Sequence, residues 1–335
     1  MMENKSTPTP LVLVVVLLSM LWVSISLAAV DEEGKTYRTG LEAKKGRFSV
    51  SPDGRRLIFT TDSLAHGLRL IDLNSGNTTI IQEQIGRSFG FPSWSPDGQQ
   101  IAVVSAAVRN NLYDVGDMEI VLIDTSTWKH RTIAAGDGVK FSPSFSKNGR
   151  TVYYLKGKKR EGGKTVASRY DFHAIDLASG QEVKLTNEEF YEASAASDDG
   201  QFLLFDAVGG KRFFEPRDAF ALAMATLFAY DKLKGSITPL KIDQSGGFFD
   251  FNSPRRDRAG SLYFVATYTP KGGPYGGPYR WFLVKADPEG KNLLPLTGLP
   301  IGLGFDIVQN TGEIYVMDKS GPEIIFRKLG VKAAR

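Results

Sequence analysis

Residues 91–98 read FPSWSPDG: the end of an extended segment, then a tight turn, with a second extended segment at 100–105. Proline presets φ at an early turn position, and glycine supplies the positive φ that closes it. Imperfect copies recur as SPDG at 51–54, SPDG at 95–98, SKNG at 146–149, SDDG at 197–200, DRAG at 257–260 and QNTG at 309–312. Their glycines, at 54, 98, 149, 200, 260 and 312, are 44, 51, 51, 60 and 52 residues apart. An Asp-Gly or Asn-Gly pair between apolar runs is the strongest short hairpin signal, so each copy joins two strands, as PSWS does to QIAVVS. A repeated unit of this size buries its faces only by stacking on its neighbours, which fixes the architecture before any single residue is interpreted.

A second signal runs out of phase with the first: IDLNSG from Ile71, IDTSTW from Ile123, IDLASG from Ile175, YDKLKG from Tyr230 and KADPEG from Lys285. Each follows an apolar strand and precedes a more polar one, so a full repeat holds four strands. Four antiparallel strands in about 50 residues is the signature of a propeller blade. The second strands (LIF, IAVV, VYYL, FLLF, LYFV, IYVM) are near-continuous apolar runs, as expected where neighbouring blades cover both faces. The expected fold is therefore all-β, a six-bladed β-propeller filling residues 31–330 as one domain. Six first strands are readable but only five complete outer strands. The segment 35–40, KTYRTG, is expected to pair with the last blade and close the ring, protecting an otherwise open edge.

Composition removes several function classes. The 335 residues carry 41 basic and 37 acidic side chains, net +4 and spread along the chain, so nucleic acid is not an expected partner. There is no cysteine, which excludes disulfides, thiol catalysis and thiolate metal sites. Residues 11–30 contain no charged side chain and follow Lys5. With Ser26, Ala28 and Ala29 near its end, this run reads as a signal peptide, or alternatively as an uncleaved membrane anchor, since it is long enough to span a bilayer. Both readings place the rest of the chain, expected to be a monomer, in the periplasm or outside the cell.

The W/F-S-P-D-G turn, short apolar strand, variable loop and strand ending I-D-L-x-S-G resemble the β-propeller repeat of the TolB C-terminal domain, distantly similar to WD-type blades. The resemblance covers about 43 to 330. TolB also carries an N-terminal mixed α/β domain; here only about 15 residues separate the apolar run from the first blade. The resemblance implies a non-enzymatic binding role.

Blade geometry puts the SPDG and I-D-L-x-S-G turns on one end and the longer connections on the other: 106–118, 156–171, 207–226 and 267–281, against short ones at 61–67 and 318–323. Loops on a rigid scaffold usually carry function. On that end fall Arg109, Asn111, Tyr113 and Asp114 from blade two, Tyr170 and His173 from blade three, Phe214 and Arg217 from blade four, and Tyr275, Tyr279 and Arg280 from blade five. Inter-blade segments add Arg87, Phe89, Phe190, Tyr191, Phe248, Phe249 and Phe305. Rigid rings that stack and guanidinium groups that bond bidentately suit a protein, peptide or glycan surface; each such aromatic also suits a plain packing role between blades.

Catalytic patterns are thin. Residues 86–90, GRSFG, match a nucleophile elbow, but no helix follows to form the strand-to-helix turn it requires. The three histidines, His66, His130 and His173, have no metal-ligand spacing. The basic run 156–164 reads as a solvated hairpin tip. The expectation is an exported, non-enzymatic binding module acting through its long-loop face, with no metal or cofactor. The alternative is a propeller hydrolase or lyase acting on a sugar or lactone at the channel mouth.

Overall fold

A computed structural model describes residues 34–63, 67–82, 86–109, 112–158, 168–210, 224–244, 246–270, 277–300 and 302–333. It contains six four-stranded antiparallel sheets. Blade one comprises β2 (Gly46–Val50), β3 (Arg56–Thr61), β4 (Leu68–Asp72) and β5 (Thr78–Gln82). Blade two is β6 (Arg87–Trp94), β7 (Gln100–Arg109), β8 (Leu112–Asp124) and β9 (His130–Ala134), and blade three is β10 (Val139–Phe145), β11 (Thr151–Lys158), β12 (Ser168–Asp176) and β13 (Glu182–Lys184). Blade four holds β14 (Glu192–Asp198), β15 (Phe202–Val208), β16 (Thr226–Asp231) and β17 (Ser236–Pro239); blade five holds β18 (Phe248–Arg256), β19 (Leu262–Tyr268), β20 (Arg280–Ala286) and β21 (Leu294–Leu299). Blade six is β22 (Phe305–Ile307), β23 (Glu313–Ser320) and β24 (Glu323–Lys332), completed by the N-terminal β1 (Thr36–Glu42). No helix occurs among the described residues.

The turns follow from their side chains. Ser51 Oγ donates to Asp53 Oδ1 at 2.6 Å and accepts Arg56 N–H at 2.9 Å, and the same arrangement recurs at Ser95 with Asp97 and at Ser146 with Asn148. All six turn glycines have positive φ, between 71° and 109°, where any other residue is strained. On the same end, the aspartates of the outer turns accept backbone N–H groups, as Asp72 does from Asn74 and Ser75. Hydrogen bonds from Ser126 and Thr127 hold the Asp124 carboxyl down to about 2.

Burial confirms why the second strands are apolar throughout. Six apolar clusters lie at the six blade interfaces, for example Ile58, Trp94 and Ile101 between blades one and two, and Tyr153, Phe172 and Phe205 between three and four. Trp94 packs between blades, its indole N–H donating to Ser49 O at 3.1 Å. Ring closure follows the expected route: Thr36, Tyr37 and Arg38 pair with Arg327, Phe326 and Ile325. Lys140, wholly buried, ties blade two to blade three by donating to Met118 O, Gly136 O and Gly138 O.

Two local expectations differ from the structure. The 106–118 connection is a strand extension, β7 running to Arg109 and β8 from Leu112, with only the tip between them. His173 lies five residues inside β12, because the hairpin with β11 continues out to Lys158 and Ser168. The apolar run 11–30, His66, Asn111, Phe214, Arg217, Tyr275 and most of 156–164 lie outside the described residues.

Candidate functional site: the channel and its mouth

The inner strands enclose a central cavity of about 670 Å³. Its walls are set by a recurring backbone feature. In blades two, three and five the residue before a proline, Phe91, Ser142 and Ser253, takes φ of 52°, 48° and 57°. The ladder slips at those points, between Gly90 and Ser93, Phe141 and Ser144, and Asn252 and Arg255. A residue preceding proline normally stays extended, so each left-handed one costs on the order of 1–3 kcal/mol and is held by its surroundings. The bulges re-aim the inner-strand side chains that follow, and Phe91, Ser142 and Ser253 themselves line the cavity. Blades one and six contribute Arg47 and Gly304 near the same end.

From Arg47 and Phe91, which line the cavity, a row of rings runs back to Phe141 and Tyr170, packed against the blade cores. The Arg47 guanidinium lies 5.5 Å from the Phe91 centroid, Phe91 lies 5.6 Å from Phe141, and Phe141 lies 5.9 Å from Tyr170. Arg47 donates to Gly46 O at 3.1 Å and Gly302 O at 3.4 Å. Its surroundings lower its pKa by desolvation, while Asp206, on the opposite blade, pulls the other way. Asp206 is buried and accepts Ser253 N–H at 3.1 Å.

Deeper in the channel stand Ser49, Ser93, Ser144, Arg255 and Asp306. Asp306 joins blade six to blade one by accepting Val50 N–H at 2.8 Å and Ser49 Oγ–H at 3.1 Å, with Arg255 Nε 3.8 Å away. Burial pushes its carboxyl above the usual carboxylate range, against the pull of Arg255 and of those hydrogen bonds. Toward the turn end the cavity meets Pro52, Pro96, Lys147, Asp199 and Arg256, with Arg256 and Asp199 paired at 3.2 Å. The turn motif thus contributes wall residues to the channel as well as strand phase.

The residues singled out in the sequence fall into three groups. Tyr170 joins the row, and the exposed Tyr279 lies 6.2 Å from the Phe249 ring with Arg280 exposed beside it at the start of β20. Tyr191 is also exposed, after the third blade. A second group is engaged within the fold. Phe89, Phe190, Phe248, Phe249 and Phe305 are core side chains. Arg87 donates to Ser105 Oγ and pairs with Asp117 and Glu119, and His173 Nδ1 is 2.8 Å from Glu182 Oε1. Burial lowers the His173 pKa, Glu182 opposing. Arg109 and Asp114 pair with each other at 3.0 Å at the exposed hairpin tip, where the Tyr113 backbone lies opposite Val108. Arg217 is the third case, outside the described residues. Ser88, of the elbow-like motif, is a buried residue within β6.

Arg47, Phe91, Phe141, Ser142, Arg255 and Asp306 were not singled out by sequence. The available signal was a proline three positions before the turn residue Ser95, Ser146 or Asp257. Among the described residues, no group of three or more His, Asp or Glu side chains is placed to hold a metal ion.

No protein-family model and no curated protein matches the sequence. Solved structures do match the fold. TolB from Acinetobacter baumannii superposes with a TM-score of 0.52 at 17% identity, covering 86% of this chain and 64% of that one. A putative TolB from Agrobacterium tumefaciens gives 0.55 at 15% identity, covering 89% of this chain and 91% of that one. An oligogalacturonate lyase in complex with manganese gives 0.52 at 12% identity, over 84% and 75%. The chain spans less than two thirds of the first of these proteins. It carries a TolB-like six-bladed propeller, a fold shared with at least one enzyme.

Proposed function

We propose that the chain is an exported, non-enzymatic recognition module that takes a protein, peptide or glycan ligand at the long-loop mouth of its channel. The observation that carries this reading is the Arg47–Phe91 pair on the wall of a 670 Å³ cavity, continued behind Phe91 by the partly buried rings of Phe141 and Tyr170. A cavity of this size suits a ligand segment, and rings with an arginine are the side chains that concentrate binding energy. Exposed Tyr279 and Tyr191 extend the same end outward. The TolB-like fold supports a binding role and the apolar run 11–30 supports export. The second reading, a lyase or hydrolase, draws on the likeness to the oligogalacturonate lyase and on the shifted carboxyl of Asp306 in the channel.

A thermal-shift screen against oligosaccharides, peptides and envelope proteins tests the proposal. Ligands that raise the melting temperature of the native chain should lose that effect in Tyr170→Ala and Tyr279→Ala. Hits untouched by both substitutions, or turnover of an oligosaccharide abolished by Asp306→Asn, would count against a binding module at this mouth.

A further inference from the structure

We infer that the turn end of the propeller faces a lipid bilayer that holds residues 11–30, so that the long-loop mouth opens away from the membrane. The inference rests on the proposed export and is independent of recognition at the mouth. It follows from where the ring is joined to the apolar run and from the direction in which β1 leaves that junction.

The ring fixes its N-terminal segment at the turn end. Lys35 Nζ donates to Leu73 O at 2.9 Å and to Asn74 O at 3.2 Å, both in the outer turn of blade one, and Lys35 O accepts Lys328 N–H at 3.0 Å. From there β1 runs towards the other end. Thr36 lies opposite Arg327 and Glu42 opposite Glu323, and just beyond the strand Lys44 N–H donates to Asp62 Oδ1 in the short mouth-end loop. At ~3.3 Å per residue, the mouth end of β1 lies about 20 Å beyond its start.

The connection to the apolar run is short. Residues 11–30 carry no charge, a length that spans a bilayer and exceeds the roughly 7–15 apolar residues of a signal peptide. Only residues 31–33 separate that run from Gly34, so the chain from Val30 to Gly34 reaches at most about 14 Å. A run that stays in the bilayer therefore keeps the turn end against it. A propeller lying on its side would instead press β1 onto the lipid. The side chains of Thr36, Arg38 and Glu42 are exposed there, with Arg38 paired to Glu323 at 2.8 Å, and these polar groups would lose water. The turn end carries Leu233, which at 89% exposure is the most exposed large apolar side chain among the described residues, next to the exposed Lys234. An apolar side chain beside a lysine suits the headgroup boundary of a bilayer.

Energy transfer to lipid tests the seating. The full chain is reconstituted into vesicles of phosphatidylcholine and phosphatidylglycerol that carry an acceptor-labelled lipid. A membrane-impermeant donor dye is then placed on single cysteines at exposed positions: Asn74→Cys and Ser236→Cys at the turn end, Lys44→Cys and Tyr279→Cys at the mouth. Transfer from 74 and 236 should exceed transfer from 44 and 279 by about twofold or more, given the strand length that separates the two ends. Detergent should abolish the difference. Equal transfer from all four sites, or stronger transfer from 44 and 279, would overturn the inference. Recovery from an exporting bacterial host of a soluble chain cut near residue 30 would overturn it too, with export left standing. A full-length chain found unattached in the cytoplasm would overturn both the seating and the export.

Discussion

Replacing Tyr37 by alanine should destabilise the whole ring, because Tyr37 is where β1 locks into it. The side chain is 4% exposed and packs in the cluster shared by blades one and six, 6.3 Å from the Tyr315 ring. Truncating a buried aromatic costs about 3–5 kcal/mol, combining lost transfer energy and the cavity left behind. The hydroxyl donates to Leu73 O at 2.9 Å, but Lys35 Nζ donates to the same carbonyl at 2.9 Å. Tyr37→Phe therefore leaves that acceptor satisfied and should cost only about 0.5–1 kcal/mol, the low end for one hydrogen bond. For a chain of this size each kcal/mol moves the melting temperature by about 2–4 °C. Calorimetry should then show Tyr37→Ala melting roughly 6–20 °C below the native protein and Tyr37→Phe within about 4 °C of it. A Tyr37→Ala protein melting with the native one would mean that the ring closes without β1.

Two further predictions concern pH. Burial raises the Asp306 pKa in the folded state, so its contribution favours the fold below the unfolded carboxylate pKa and is lost as pH rises through the folded value. Asp306→Asn keeps an oxygen for Val50 N–H without the charge, so in denaturant titrations it should gain on the native protein as pH rises above the unfolded carboxylate value; a flat difference would contradict the buried carboxylate. Burial lowers the His173 pKa below 6.5, so the unfolded chain binds the extra proton first. Stability should therefore fall as pH drops from 6.5 towards the folded value, and His173→Gln should flatten that decline. An unchanged slope across pH 5–6.5 in the variant would assign the decline to other groups.

The blades were legible in the sequence because their determinants are local. Gly54 to Gly312 mark backbone conformations that glycine tolerates, Asp72 and its equivalents cap their own turns, and the strands between them need only be apolar to stack. Blade six could also be completed on paper, since 35–40 alternates like an outer strand. The channel lining was not legible to the same degree. Phe89 reads like a rim aromatic and is a core residue, while Phe91, two positions on, reaches the cavity. What separates them is a bulge whose key residue sits before a proline in a conformation that proline disfavours, so local rules predict the opposite. Arg47 escaped notice because blade one has no bulge; it is the stacking of blade two on blade one that brings it against Phe91.

Ligand entry at the long-loop mouth is directly testable, because the sequence contains no cysteine. A single cysteine at position 279, on the mouth, or at 234, on a turn at the opposite end, can be capped with a bulky maleimide before binding is measured for any ligand found in the screen. Capping Tyr279→Cys should abolish binding, and capping Lys234→Cys should leave it unchanged. Binding blocked from position 234 and untouched from 279 would contradict it.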